Sequence, residues 1–440
     1  MLLPLVLSLF TLCAAAWSLV VPPFETPDEP GHARYVSFLM ESGRLPRAGV
    51  EAPGEAHQPP LYYVLAAAAA RCAGAERIAV SPERNPRFRW YGGTEESKYL
   101  HPAGESPPLS GDARVLHWLR LLSVVLGAAT VAAIHRMGLA ALGDPIQAAV
   151  AAAVAAFIPQ FTFLSASLNN DTLANLLSAG CLACLVMALS SATAGAGLWL
   201  AAGALAGAGI LAKFTGLAML PCGLIAIFLA GRRRGKSVWR ETAAFLSPAV
   251  LVPLPLLARN LMVMGDPLGA AAQVETLPQL LDRKTLLSPY FVTEFPLVLF
   301  RSFWGVFGWM SFLMPWWFYA GCLALTLAAI AGLTRRGTPD PRRDIRLLLA
   351  GAIAIQVAQI VVYNITFTQA QGRFLFPVLG PIVLLIVTGL SGLVRPKGDG
   401  PPHPLPALWP WLLVALLACA NLCLLRFLVA PAYGMAAGPA

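Results

Sequence analysis

The feature that most constrains this chain is a series of eleven apolar segments, most of them about 20 residues long. A helix of that length crosses the hydrocarbon core of a bilayer. Because lipid offers no partners to backbone amides, each segment is predicted to be an α-helix. The first lacks a basic n-region and is therefore predicted to be an uncleaved span. The predicted spans are residues 2–21, 114–139, 145–164, 172–190, 197–212, 214–230, 242–258, 310–333, 347–367, 374–394 and 407–429.

Only 12% of the 440 residues are charged and 57% are hydrophobic, which excludes an ordinary soluble domain with its roughly 25% charge. Alternate counting of the spans places three basic loops on one side, which the positive-inside rule makes cytoplasmic together with the N-terminus. These loops account for the net charge of +9, so no nucleic-acid partner is predicted. Their basic residues are Arg232, Arg233, Arg234, Lys236, Arg240, Arg335, Arg336, Arg342, Arg343, Arg346, Arg395 and Lys397.

The segment 22–113 is then predicted to be a long first periplasmic loop, and 259–309 a second periplasmic segment. The first loop contains two patterns typical of juxtamembrane helices, at about 28–42 and 59–73, each opened by proline. Both are too short to span the bilayer. In the second segment, the aromatic residues at 303–309 indicate an interfacial belt, with a re-entrant segment as the alternative.

Polar side chains gather at the predicted outer ends of the spans, where such groups are costly and commonly functional. Each alone has a structural explanation: Asp28 as a helix cap, Lys213 and Arg373 as interfacial anchors. Their convergence on one side favours a site. The candidates are Asp28, Glu29, His32, Glu55, His57, Asn169, Asn170, Asp171, Lys213, Arg259, Asp266, Gln369, Gln371 and Arg373.

A carboxylate pair with isolated cations suits glycosyl transfer from a lipid phosphate. A carboxylate takes the proton of an acceptor hydroxyl as it attacks a sugar carbon, and cations stabilise the departing phosphate. Arginine suits fork-like phosphate contacts and lysine a point contact. The sequence has no nucleotide-binding glycine loop and no Walker pattern, so ATP-driven transport by this chain is not expected.

Two elements of the first loop resemble the GT-C class of membrane glycosyltransferases, which includes protein O-mannosyltransferases and lipid A aminoarabinose transferases. They are Pro27-Asp28-Glu29-Pro30-Gly31-His32 and His57-Gln58-Pro59-Pro60-Leu61-Tyr62-Tyr63. Further pieces resemble an uncharacterised family of predicted bacterial membrane proteins assigned to the same class. These pieces are Ser167-Leu168-Asn169-Asn170-Asp171, Ala212-Lys213-Phe214-Thr215-Gly216, Arg259-Asn260 with Gly265-Asp266-Pro267, and Gln371-Gly372-Arg373-Phe374-Leu375-Phe376-Pro377.

The resemblance implies an all-α, polytopic GT-C fold in a single transmembrane domain over residues 1–440. It also implies a hexosyl- or pentosyltransferase that uses a polyprenyl-phosphate sugar. In that class the acidic residue of the first outer loop is the proposed base, which carries over onto Asp28, with Glu29 as its companion. Their positive charge and their predicted position on the outer side of the membrane indicate that Lys213, Arg259 and Arg373 face the donor phosphate. Further expected substrate contacts are His57, Gln58, Tyr62, Asn170, Asp171 and Gln371.

The predicted reaction is an inverting transfer to a cell-envelope glycan or lipid at the periplasmic face of a bacterial inner membrane. A divalent cation held by Asp28, Glu29 and His32 is an alternative feature of the site, since Asp28 and His32 lie four residues apart. Two other functions fit the same residues. One is a transporter or flippase for a lipid-linked sugar, and the other is an O-antigen ligase or polymerase with a diphosphate donor.

Overall fold

A computed structural model describes residues 2–48, 50–52, 54–79, 82–89, 97–102, 105, 109–191, 193, 195–235, 237–269, 271, 273–274, 281–334, 342–394 and 409–433. Nearly all regular structure in these ranges is helical, as the apolar segments predict. The basic residues Lys236, Arg335, Arg336, Arg395 and Lys397 lie outside the described residues.

Long helices coincide closely with the predicted spans. The α-helices are Leu2–Val20, Glu29–Ser42, Leu61–Cys72, Gly111–Leu142, Pro145–Ala156, Pro159–Ser165, Asp171–Ser190, Ala196–Ala212, Met219–Arg234, Trp239–Leu251, Leu254–Met264, Glu294–Trp304, Trp316–Thr334, Arg343–Thr366, Leu379–Val394, Trp409–Leu424 and Ala430–Ala432. Short 3₁₀ helices cover Phe214–Ala218, Pro289–Phe291 and Gly372–Val378, and a π-helical turn covers Leu425–Val429.

The number of spans differs from the predicted eleven. Within the described ranges, eight helices are long and apolar enough to cross a membrane, and ten if each of two bent pairs forms one span. The pair Pro145–Ala156 and Pro159–Ser165 bends by 68° before Pro159, because proline has no backbone N–H to donate and its ring clashes with the carbonyl four residues earlier. The predicted span at 197–212 is a helix of only 17 residues. The protein is therefore a multi-pass membrane protein, but the count of eleven is not confirmed.

The predicted span at 310–333 begins later than expected, at Trp316. The residues before it form a small antiparallel hairpin, in which strand Val306–Phe307 pairs with strand Phe312–Leu313. The turn between the strands holds Met310 at φ 63°, a left-handed conformation that interrupts any helix.

The aromatic run at 303–309 is not an interfacial belt, because its large side chains are buried in the protein. Phe307 packs against Trp17 with ring centroids 5.0 Å apart. The indole nitrogen of Trp309 donates a hydrogen bond to the carbonyl oxygen of Phe24 over 2.9 Å. This segment therefore supports the chain just before the first candidate residue.

The two helices of the segment 22–113, which we call the first outer segment after its predicted location, pack on each other. Helix Glu29–Ser42 ends at Gly43, whose φ of 66° and backbone bond to Leu39 are typical of a glycine C-cap. Helix Leu61–Cys72 follows two prolines. The rings of Tyr35 and Tyr63 stack between the helices with centroids 3.9 Å apart. This contact fixes the first turn of one helix relative to the other and so positions the residues described next.

Candidate functional site

Asp28 has an unusual backbone conformation at the start of helix Glu29–Ser42. Its φ of 68° is left-handed, a region that non-glycine residues seldom occupy and that is enriched at functional sites. Its side chain makes no capping hydrogen bond to the helix. The capping explanation considered for Asp28 is therefore wrong, and its carboxylate is directed elsewhere.

The carboxylate of Asp28 forms a hydrogen-bonded ion pair with the guanidinium of Arg373. Arg373 Nη1 also lies 3.5 Å from the Asp171 carboxylate, which accepts a 2.5 Å hydrogen bond from Lys213 Nζ. Two carboxylates and two cations from four distant segments thus form one network. The Asp28 side chain keeps 27% of its surface exposed, compared with 4% for Arg373, so an arriving molecule can reach the aspartate.

Asp28, Lys213 and Arg373 of this network line a cavity of about 250 Å³ together with His32, His57 and Gln58. Eight residues predicted from the sequence as candidates or substrate contacts share the cavity wall. They are Asp28, His32, Glu55, His57, Gln58, Lys213, Gln369 and Arg373.

Asp28 and Glu55 have pKa values displaced in opposite directions. Burial raises the pKa of Asp28, but the charge and hydrogen bond of Arg373, with further help from His32 and Lys213, outweigh it and lower the value to about 2. Burial and the negative charge of Asp28 raise the pKa of Glu55 to about 8. At neutral pH the cavity therefore holds one ionised and one protonated carboxyl group.

Glu55 fits beside the first helical turn because Gly31 leaves space for it. A Cβ on Gly31 would lie 2.9 Å from Cγ of Glu55. Gly54, whose φ is 114°, approaches Gly31 so closely that its own Cβ would lie 3.0 Å from the Gly31 Cα. The glycine in the first-loop element thus brings the Glu55 carboxyl group next to the Asp28 turn.

The two histidines of the cavity are neutral at pH 7. Burial lowers the pKa of His32 to about 3 and that of His57 to about 4. His32 Nδ1 shares a 2.8 Å hydrogen bond with the Tyr63 hydroxyl, and His57 Nε2 lies 3.0 Å from Gln58 Nε2. Neutral imidazoles supply hydrogen-bonding groups to the cavity without adding charge.

Glu29, predicted as the companion of Asp28, is engaged elsewhere. It is fully buried, and its carboxylate accepts hydrogen bonds from Arg120 at 2.7 and 2.8 Å. It also accepts the backbone amides of Phe24 and Leu168 at 2.8 and 2.9 Å. Asp28 precedes the helix in a left-handed conformation and Glu29 is its first residue, so the two side chains have different neighbours. These bonds join the start of the first outer helix to helix Gly111–Leu142, which carries Arg120, and to Leu168 before helix Asp171–Ser190.

Other predicted contacts also lie outside the cavity wall. Arg259 donates hydrogen bonds to the carbonyls of Leu45 and Pro46 at 3.2 and 3.0 Å, so it holds the loop after the first outer helix. Tyr62 shares a 2.9 Å hydrogen bond with Ser123. Gln371 precedes the 3₁₀ helix that carries Arg373.

Asn170 and Asp171 form a second layer behind the cavity. The Asn170 side chain donates hydrogen bonds to Gln58 Oε1 at 3.3 Å and to the carbonyl of Ala212 at 3.2 Å. It thereby links the residue before Lys213 to the cavity wall. Asp171 begins helix Asp171–Ser190 and orients both cations.

Asp28, Glu29 and His32 do not converge on a metal site. Glu29 turns toward Arg120, Asp28 is bound by Arg373, and His32 is hydrogen-bonded to Tyr63. In the described ranges, no three His, Cys, Asp or Glu side chains are arranged to hold a metal ion. The donor set therefore does not fit a divalent cation.

The polar side chains of helix Arg343–Thr366 were not among the residues predicted from the sequence. Gln356, Gln359 and Tyr363 line the cavity from this helix, and Gln273 and Gln369 join them. The signal was present in the sequence, because polar residues three and four positions apart within an apolar span share one helical face. Such residues usually face the protein interior or a water-filled cavity.

The fold is that of the GT-C membrane proteins. The structure resembles ArnT from Cupriavidus metallidurans bound to undecaprenyl phosphate, with a TM-score of 0.55 at 16% identity, covering 97% of this chain and 73% of ArnT. It also resembles the oligosaccharyltransferase AglB from Archaeoglobus fulgidus, with 0.53 at 13% identity, covering 99% of this chain and 56% of AglB. A third similar structure is arabinosyltransferase EmbB from Mycobacterium smegmatis. Its TM-score is 0.50 at 12% identity, and the match covers 98% of this chain and 39% of EmbB.

Residues 111–397 match the family described as predicted membrane protein (DUF2142), and the chain belongs to that family. No curated protein matches the sequence. The match begins at the helix that follows the first outer segment, so Asp28 and Glu55 precede the matched region.

Proposed function

We propose that this protein is a glycosyltransferase that moves a sugar from a polyprenyl-phosphate donor to a cell-envelope glycan or lipid. The observation that carries the proposal is the cavity in which the strained, partly exposed Asp28 meets Lys213 and Arg373. Two structural neighbours support the donor class, since ArnT was solved with undecaprenyl phosphate and AglB with a dolichol phosphate.

Lys213 and Arg373 are the proposed phosphate ligands. Both are held within reach of the cavity by Asp171. The centroid of the Phe374 ring lies 5.7 Å from Lys213 Nζ and 5.5 Å from Arg373 Cζ. An ammonium and a guanidinium with restricted freedom lose little entropy on binding a phosphate. In the transition state they would stabilise the charge that develops on the leaving oxygen.

Asp28 is the proposed general base. Its partner Arg373 keeps its pKa too low for efficient proton transfer in the empty cavity. A donor phosphate competes with Asp28 for Arg373, and weakening that ion pair raises the pKa of Asp28. Donor binding thus prepares the base. Without a bound donor, Asp28 stays paired with Arg373 and is a poor base for an acceptor hydroxyl.

The proposed reaction is a single displacement that inverts the anomeric carbon. The acceptor oxygen forms a bond to this carbon while the carbon's bond to the phosphate oxygen breaks. The acceptor proton passes to Asp28, and the electron pair leaves with the polyprenyl phosphate. Basic residues at 232–240 and 342–346 support a cytoplasmic location for those segments. The proposed location of the cavity is therefore the periplasmic side of a bacterial inner membrane.

The test is transfer of labelled sugar from polyprenyl-phosphate donors by the purified protein. Asp28→Asn should lower the rate by at least about 100-fold, the lower end expected for loss of a general base. Glu51→Gln is the matched control, because Glu51 is in the same outer segment but pairs with the exposed Arg44 at 2.5 Å. Full activity of Asp28→Asn would remove Asp28 as the base.

The same assay separates the alternative functions. Movement of a lipid-linked sugar across liposomes without any sugar transfer would establish a flippase and overturn the proposal. With a polyprenyl-diphosphate sugar offered as a second donor, transfer from that donor alone, with release of polyprenyl diphosphate, would establish a ligase or polymerase.

A further inference from the structure

One helix presents a row of uncharged polar groups to the cavity. Gln356, Gln359, Ile360 and Tyr363 occupy positions that share one face of helix Arg343–Thr366, and all four line the cavity. We call the three polar members the amide face. In an apolar span, such a face requires polar partners or a polar ligand.

The side-chain amide of Gln356 has an acceptor atom that is not used. Gln356 is fully buried, and its Nε2 donates to the carbonyl of Phe374 at 2.8 Å and to Gln359 Oε1 at 3.3 Å. Its Oε1 has no hydrogen-bond partner among the described residues. A buried amide oxygen without a partner is unfavourable unless a ligand donates to it.

The amide face lies directly beside the two cations. Gln356 binds the carbonyl of Phe374, the neighbour of Arg373, and Gln359 Nε2 binds the carbonyl of Phe214 at 3.5 Å, the neighbour of Lys213. In a polyprenyl-phosphate sugar the ring is joined directly to a phosphate oxygen. A phosphate held by both cations therefore brings the ring against these amides.

At the Tyr363 end of the amide face, the side chains also donate and accept hydrogen bonds. The Tyr363 hydroxyl donates to Gln369 Oε1 at 2.9 Å and accepts from Gln273 Nε2 at 3.1 Å. The charged groups of the cavity come from other segments. Amide and phenol groups both donate and accept, which matches sugar hydroxyls that do the same.

We propose that the amide face is the subsite for the donor's sugar ring and that it selects a neutral sugar. This inference rests on the proposed function. An amino sugar would place an ammonium, and a uronic acid a carboxylate, against uncharged amide and phenol groups, while the two cations beside them are engaged by the donor phosphate. Burying a charge without a partner is strongly unfavourable, so charged rings should be rejected.

The first experiment compares binding of two ligands in detergent: polyprenyl phosphate and a polyprenyl-phosphate hexose. Gln356→Leu should weaken binding of the hexose donor about tenfold, a loss typical of one buried hydrogen bond, and leave polyprenyl phosphate unaffected. Gln147→Leu is the matched control, because Gln147 is hydrogen-bonded to Asp144 and does not line this cavity. Equal weakening of both ligands by Gln356→Leu would overturn the subsite.

The second experiment measures transfer of a neutral hexose, an amino sugar and a uronic acid on the same polyprenyl phosphate. The wild-type protein should transfer the hexose at least about tenfold faster than either charged sugar. Preference for a charged sugar would overturn the inference while leaving the glycosyltransferase proposal intact. Transfer of none of the three, together with no binding of polyprenyl phosphate, would instead refute the proposed function.

Discussion

At the scale of single residues, neighbouring carboxylates in the sequence have different environments in the structure. Asp28 and Glu29 formed one predicted catalytic pair, yet Glu29 binds Arg120 away from the cavity, and Glu55 is the second carboxyl group beside Asp28. The sequence indicated Asp28 as a candidate, because an acidic residue just after a span is unusual. It did not indicate the partner of each carboxylate, since Arg120 and Arg373 are 91 and 345 residues from theirs.

The raised pKa of Glu55 predicts a stability effect with a definite sign. An unfolded glutamate ionises near its ordinary value of 4.5, whereas folded Glu55 keeps its proton to about pH 8. The free energy of unfolding should therefore fall as pH rises between these values, because ionisation favours the unfolded chain. Glu55→Gln should remove that fall and be more stable than wild type at pH 8 by at least about 1 kcal/mol.

Thermal unfolding in detergent at pH 5 and pH 8 measures this difference. Glu51→Gln is the control: a side-chain hydrogen bond from Arg44 lowers the pKa of Glu51 to about 2, so it titrates below the window. A Glu55→Gln protein with the same pH dependence as wild type would contradict the assignment of the buried proton to Glu55.

At the scale of elements, apolar length located the spans, but their interruptions depend on close packing that a sequence pattern does not contain. The 3₁₀ helix Gly372–Val378 shows this. A Cβ on Gly372 would lie 2.0 Å from the backbone nitrogen of Phe303, and the Gly372 amide donates to Ser302 Oγ at 2.7 Å. Arg373 is therefore positioned by the contact between two short helices that are 70 residues apart.

Gly372→Ala should destabilise the protein by about 1–3 kcal/mol, because the added methyl group has no room to enter and the helix must move. The same shift should weaken the Arg373 pair with Asp28 and reduce sugar transfer. Gly321→Ala is the control, since nothing lies within 4 Å of a Cβ at that helical position. Thermal unfolding and transfer rates of both variants check the prediction, and equal behaviour of the two would contradict it.

At the scale of the whole molecule, charge distribution and helix placement agree on a multi-pass architecture. The sequence predicted the all-helical fold, the positions of the spans and the outer helices, since all of these depend on local apolar length and on proline and glycine signals. The cavity depends instead on which ends of the spans meet. Five regions supply its wall: the start of the first outer helix, residues 55–58, the break at Lys213, helix Arg343–Thr366 and the 3₁₀ helix at Arg373.

The orientation of this architecture is testable with a native cysteine. Cys72 is exposed at the end of helix Leu61–Cys72, in the segment predicted to be periplasmic, whereas residues 232–240 carry the basic charge predicted to be cytoplasmic. A membrane-impermeant maleimide should label Cys72 in intact spheroplasts. In a Cys72→Ser background, Ser237→Cys should be labelled only after the membrane is permeabilised, because Ser237 is exposed in the basic segment. The Cys72→Ser protein alone supplies the background from lipid-facing cysteines, and labelling of Ser237→Cys in intact spheroplasts would reverse the proposed topology and put the cavity on the cytoplasmic side.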